Sequence, residues 1–120
     1  MKAKHLRYDF TVLLYGSAVS VYISDDMSDN VIALNKDFKI NAANDNSQAK
    51  SIQFSNDKET RFAMLFTEHE NLVQVISHES LHISWYICEH VGIGLTPKNH
   101  EAQAYILEHI VSKLNGFFFE

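Results

Sequence analysis

From Leu72 to Val91 the chain is apolar around most of a helical circumference, with Leu72, Val73, Val75, Ile76, Leu81, Ile83, Trp85, Ile87 and Val91 in one run. A helix of that kind needs cover on several sides, so the rest of the fold has to be built around it. Within it lies Ser77-His78-Glu79-Ser80-Leu81-His82-Ile83, which contains the pattern H-E-x-x-H. On a helix, His78 and His82 stand one turn apart on the same face and can share one metal ion, with Glu79 beside them. The pattern is short enough to arise by chance in a chain with 7 His and 15 acidic residues. Its surroundings therefore decide its meaning.

Upstream, Tyr8 to Tyr15 is aromatic, β-branched or Leu-rich and reads as a largely buried strand. Gly16-Ser17 supplies a turn, after which Val19, Val21 and Ile23 alternate with polar or amphipathic residues. That alternation predicts a second strand, paired with the first as a hairpin. Asp25 to Asn30 breaks the pattern, and Ser28 can cap a short helix carrying Val31, Ile32, Leu34 and Phe38. An edge strand over Val31 to Ile40 uses the same residues. Asn41 to Lys50 is polar and without period, which predicts a mobile surface loop. Ser51 to Ser55 and Arg61 to Phe66 read as two further strands, joined by Asn56-Asp57-Lys58.

Thr67-Glu68-His69-Glu70 has the form of a capping box ahead of the apolar helix, with Asn71 as an alternative cap. Gly92 and Gly94 end that helix, and Thr96-Pro97 is a favourable start for another. The last helix should bury Ile106, Leu107, Ile110, Val111 and Leu114 and stop at Asn115-Gly116. Phe117-Phe118-Phe119 then has to fold back onto the body or meet another subunit, a possible route to a homo-oligomer. The expected fold is a single α+β domain over residues 1–120, a small antiparallel sheet packed against two C-terminal helices.

At 120 residues and 13.8 kDa the chain has room for one core. Net charge is −5, and the ten basic residues are scattered apart from Lys2, Lys4 and Arg7, so no basic stripe exists to follow a phosphate backbone. Nucleic acid is not an expected partner. Cys88 is the only cysteine, which rules out an internal disulfide and a thiolate metal cluster and suits a reducing cytoplasm. The basic start followed by Phe10 to Tyr15 faintly imitates a signal peptide, but Asp9 interrupts it and the apolar run is short. No stretch approaches the roughly 20 apolar residues that span a bilayer, so no membrane partner is expected.

A hydrolytic zinc site needs three protein ligands, a position for water and a base to take that water's proton. His78 and His82 supply two neutral nitrogens, and Glu79 is placed to be the base. Glu101, near the start of the following helix, is the natural third ligand, with Glu108, Glu89, His100 and His109 as alternatives. Glu101 shares a stripe with Ala104, Tyr105 and Glu108, so a carboxylate and a phenol can face one cleft. Tyr105 reads first as packing, though its hydroxyl could stabilise a tetrahedral oxyanion. Trp85 reads as core, and His5, His69 and His90 carry no assigned role. For any single histidine, an ordinary hydrogen-bonded residue is the simpler reading.

From Arg61 to Leu114 the sequence resembles small zincin-like proteins, often encoded by phages or prophages, in which a strand leads into an H-E-x-x-H helix and a second helix brings E-x-x-A-Y. Here these are His78-Glu79-Ser80-Leu81-His82 and Glu101-Ala102-Gln103-Ala104-Tyr105. The arrangement also resembles gluzincins more widely, including thermolysin-like and ImmA/IrrE-like metallopeptidases. The resemblance implies Zn2+ held by His78, His82 and Glu101, Glu79 as general base, and a peptide or protein substrate. It covers somewhat less than half of the chain, and the N-terminal half matches no family pattern. A chain this short lacks the second lobe of thermolysin-like enzymes, so its cleft would be open. Arg61 to Phe66 is the candidate for the edge strand that pairs with an extended substrate, with an ordinary internal strand as the alternative. From another class comes a zinc-stabilised interaction protein, phage-derived and acting on a host factor in the host cytoplasm without cleaving it.

Overall fold

The computed structural model describes residues 6–12, 15–45, 47–56, 59–67, 72–98 and 100–119. Four strands and three helices follow in the order β1 (Leu6–Val12), β2 (Ser17–Ser24), α1 (Met27–Phe38), β3 (Ala49–Ser55), β4 (Thr60–Thr67), α2 (Leu72–His90) and α3 (His100–Phe119). The fold is α+β as expected, but the sheet is mixed and a third helix is present.

The expected hairpin forms, β1 pairing antiparallel with β2 from Leu6 opposite Ile23 to Val12 opposite Ser17, and the two further expected strands make a second one, β3 pairing antiparallel with β4. The hairpins then join through a parallel contact between β2 and β4, giving the strand order β1-β2-β4-β3. Parallel neighbours need a crossover between them, and α1 provides it. The residues that fit either a helix or an edge strand therefore form the helix. Its N-cap is Asp26, whose Oδ1 accepts from the Ser28 amide at 2.9 Å, two residues ahead of the expected Ser28 cap. Asn30, fully buried, donates from Nδ2 to the Phe66 carbonyl at 2.8 Å and ties α1 to the end of β4.

With α1 on one face and α2 and α3 on the other, the two central strands are buried on both sides. That is why Phe62 to Phe66 is a continuous apolar run rather than an alternating one. Val19, Val21, Ile23, Phe62, Met64 and Phe66 pack toward Ile76, Ile83, Ile87, Ile106, Ile110 and Leu114. Tyr22, Ala63 and Leu65 pack toward Met27, Val31 and Leu34. At the rim of that second layer the Tyr22 hydroxyl donates to Asp37 at 2.7 Å, and Arg7 reaches the same carboxylate oxygen at 2.9 Å. Burial first, and the bond to Asp37 next, hold the Tyr22 phenol well above its usual range. The guanidinium groups of Arg7 and Arg61 lie 4.9 and 4.7 Å from the centre of the Phe38 ring.

The segment between α1 and β3 is fastened at several points. Asn35 exchanges two hydrogen bonds with the Ala42 backbone, and Lys50 donates to the Ala43 carbonyl at 2.8 Å. Thr67 closes β4, its hydroxyl donating to the Gln48 carbonyl at 2.9 Å. The rest of the expected capping box, Glu68 to Glu70, and the alternative cap Asn71 lie outside the described residues. Helix α2 ends as expected at Gly92, which adopts φ 81°. The Gly92 amide donates to Glu89 and the Ile93 amide to Cys88, the paired bonds of a Schellman motif.

Two expectations for the helices are corrected. Thr96 turns back on the Lys98 amide, and α3 begins only at His100. At its other end α3 continues through Asn115-Gly116 to Phe119. Burial outweighs the helix-breaking preference there: Phe118 is buried edge-on against Phe66 with ring centres 5.2 Å apart, and Phe117 stacks on Tyr8 at 4.9 Å. The tail thus folds back onto its own core, leaving Phe119 half exposed.

Candidate functional site

Only one side of α2 is covered by the sheet, because α2 and α3 lie side by side on the same face. Ile76, Glu79, Ser80, Ile83, Ser84, Ile87 and Cys88 are buried, whereas His78 and His82 point outward. Leu81 and Trp85, expected in the core, share that outer side and stay about half exposed. A helix apolar all round is here a surface helix with an apolar outer stripe.

The two histidines converge. Their Nε2 atoms are 3.1 Å apart, with the rings nearly perpendicular at 73°. Two nitrogens each bound at about 2.0–2.1 Å to one tetrahedral zinc lie roughly 3.3 Å apart, so the pair already has the spacing of two ligands on one ion. A 3.1 Å separation also suits a hydrogen bond between the two rings in opposite tautomers. The Tyr86 ring, one turn beyond His82, lies nearly parallel to it at 6.3 Å. That neighbour was legible from its i+4 spacing.

Glu79 is buried on the flank that faces β3. Its Oε1 accepts from the Ser51 hydroxyl at 2.7 Å, and its Oε2 lies 3.9 Å from His78 Nε2. Nothing in the sequence singles out Ser51, an ordinary serine in a strand, as the residue that holds this carboxylate. The edge strand beside the motif is β3, not the expected Arg61 to Phe66 segment, which lies inside β4 between β2 and β3.

The expected third ligand is not brought to the pair. Glu101 is on the surface, its side chain 78% exposed, with His100 Nδ1 3.9 Å away. The physical reason is the side on which α3 packs. Gln103 of α3 donates to Ser84 of α2 at 3.3 Å. Ser84 is two residues from His82 and hence about 160° around the helix axis. Helix α3 therefore covers the flank opposite the histidines. Glu108 and His109 border a separate cleft of about 460 Å³ between α3 and the end of β1, together with Val12, Tyr15 and Tyr105. His109 Nε2 lies 3.2 Å from the Thr11 carbonyl oxygen. Tyr105 is largely exposed and lines this cleft with residues of β1 and α3 rather than of α2. Glu89 sits seven residues past His82, two turns along α2. Among the described residues, no three His, Cys, Asp or Glu side chains form a group able to hold a metal ion.

Fold and motif together define a three-layer α+β protein, one helix on one side of a four-stranded mixed sheet and two on the other, with a paired-histidine surface on its second helix. No protein-family model matches the chain, and neither does any curated protein or solved structure. No helix among the described residues is long and apolar enough to cross a membrane.

Proposed function

We propose that this chain is a zinc-binding interaction protein, its metal taken up by His78 and His82 and its partner engaged through the outer side of α2. The observation that supports this reading is the 3.1 Å approach of the two Nε2 atoms on an exposed helix face, with no third protein ligand grouped with them among the described residues. Half of a tetrahedral shell is present, and the other half is open to water or to another molecule. The resemblance to phage zincin-like proteins makes a host protein one partner to consider.

A second reading, a minimal gluzincin-type metallopeptidase, is favoured by Glu79. A buried carboxylate fixed by Ser51 beside the histidines and next to an edge strand is the right equipment for a general base. Zinc, when bound, supplies a Lewis acid and a water that ionises near neutral pH. This reading still needs a third ligand that α3 does not deliver.

Zinc per chain, measured after purification without chelator, tests the site. Wild type and Glu101→Ala should retain zinc and His78→Ala should lose it; undiminished zinc in His78→Ala refutes the site. Glu79→Gln separates the readings, since an interaction protein keeps its biological effect in that variant. A hydrolase keeps zinc but loses all turnover of a peptide library.

A further inference from the structure

We infer that the second half of the zinc shell comes from a second copy of this chain, so that zinc joins two α2 helices through four histidines on a two-fold axis. The inference rests on the zinc-binding reading of His78 and His82. A two-fold axis through the ion doubles whatever one chain offers: two nitrogens become four, the number that closes a structural zinc site. Histidines one turn apart place their Nε2 atoms along the helix axis, and opposite edges of a tetrahedron are perpendicular. The two helices must therefore cross at roughly 90°.

Charge and surface chemistry agree with that occupant. Four neutral imidazoles leave the ion's double positive charge uncompensated. Each copy brings one buried Glu79 carboxylate with an oxygen 3.9 Å from His78 Nε2, so two copies balance it. Leu81 and Trp85, each about half exposed, flank the histidines where a crossing helix would cover them. A perpendicular crossing touches about two turns of each helix, on the order of a few hundred Å² per chain. Stable interfaces bury about 800 Å² per partner, so the contact needs the metal.

Sedimentation velocity of the purified full chain, stripped of metal and then titrated with zinc chloride, tests this. The stripped protein should be a monomer and should become a dimer at one zinc per two chains. Cobalt in place of zinc should give the intense visible bands of a tetrahedral centre. His78→Ala and His82→Ala, both at exposed positions, should stay monomeric with zinc, and Glu101→Ala should dimerise normally. Trp85→Ser, which keeps all four histidines, should still dimerise with zinc but roughly tenfold more weakly. A monomer carrying one zinc per chain overturns the dimer and leaves the metal site standing. Absence of zinc binding overturns both, and a dimer that persists without zinc or in His78→Ala overturns the four-histidine centre.

Discussion

The bond between Ser51 and Glu79 is what orients the motif's carboxylate, and its strength can be measured. Ser51→Ala removes the donor that approaches Oε1 at 2.7 Å while Glu79 remains buried. Hydrogen bonds to charged groups contribute about 1.5–3 kcal/mol. Ser51 is only partly buried, which places this one in the lower half of that range, about 1.5–2 kcal/mol. With 120 residues at about 2.1 cal/mol/K each, the unfolding entropy is roughly 0.25 kcal/mol/K, so Tm should fall by about 6–8 °C. Ser51→Ala alone does not prove the partner. A double-mutant cycle with Glu79→Ala, read by urea unfolding of the stripped protein at neutral pH, should give a coupling of about 1 kcal/mol or more. A coupling below about 0.3 kcal/mol, the scatter expected of independent sites, would refute the placement of Glu79 against β3.

Extension of α3 past Gly116 predicts that Phe118→Ala costs about 3 kcal/mol, or about 12 °C in Tm, because a buried ring against Phe66 is lost. Phe119→Ala, at a half-exposed position, should stay within about 0.5 kcal/mol; equal losses in calorimetry would show that the helix stops earlier. Burial alone would raise the Asp9 carboxyl, but hydrogen bonds from Arg7 and Ser20 with the charges of Arg7 and Arg61 hold it below the usual carboxylate range. Its contribution to stability is therefore present above the unfolded value near 3.9 and is lost as pH falls through the folded value. Comparing urea midpoints of wild type and Asp9→Asn from pH 7 down to pH 3 should show a difference that shrinks only below about pH 4; one that grows toward acid contradicts the ion pairing.

Local sequence determined most of the elements, because their signals lie within a few residues. Alternation in Val19, Val21 and Ile23 and the turn at Gly16-Ser17 specify the first hairpin. The run before Gly92 specifies α2 and its end. The one-turn spacing of His78 and His82 puts them on one face of any helix. What local signals leave open is which side of each element is covered. Leu81 and Trp85 look like core until α2 and α3 are seen to share one face of the sheet. The same packing decides that Glu101 is remote from the histidines, since α3 lies on the Ser84 flank of α2. Parallel pairing of β2 with β4 depends on α1 crossing the far face, a long-range event that no hairpin signal encodes. The Phe tail overrides Gly116 because Phe66 and Tyr8, distant in sequence, offer it a place to be buried. The histidine pair was therefore written in the chain, and the separation of Glu101 from it was decided only by how two helices came to lie side by side.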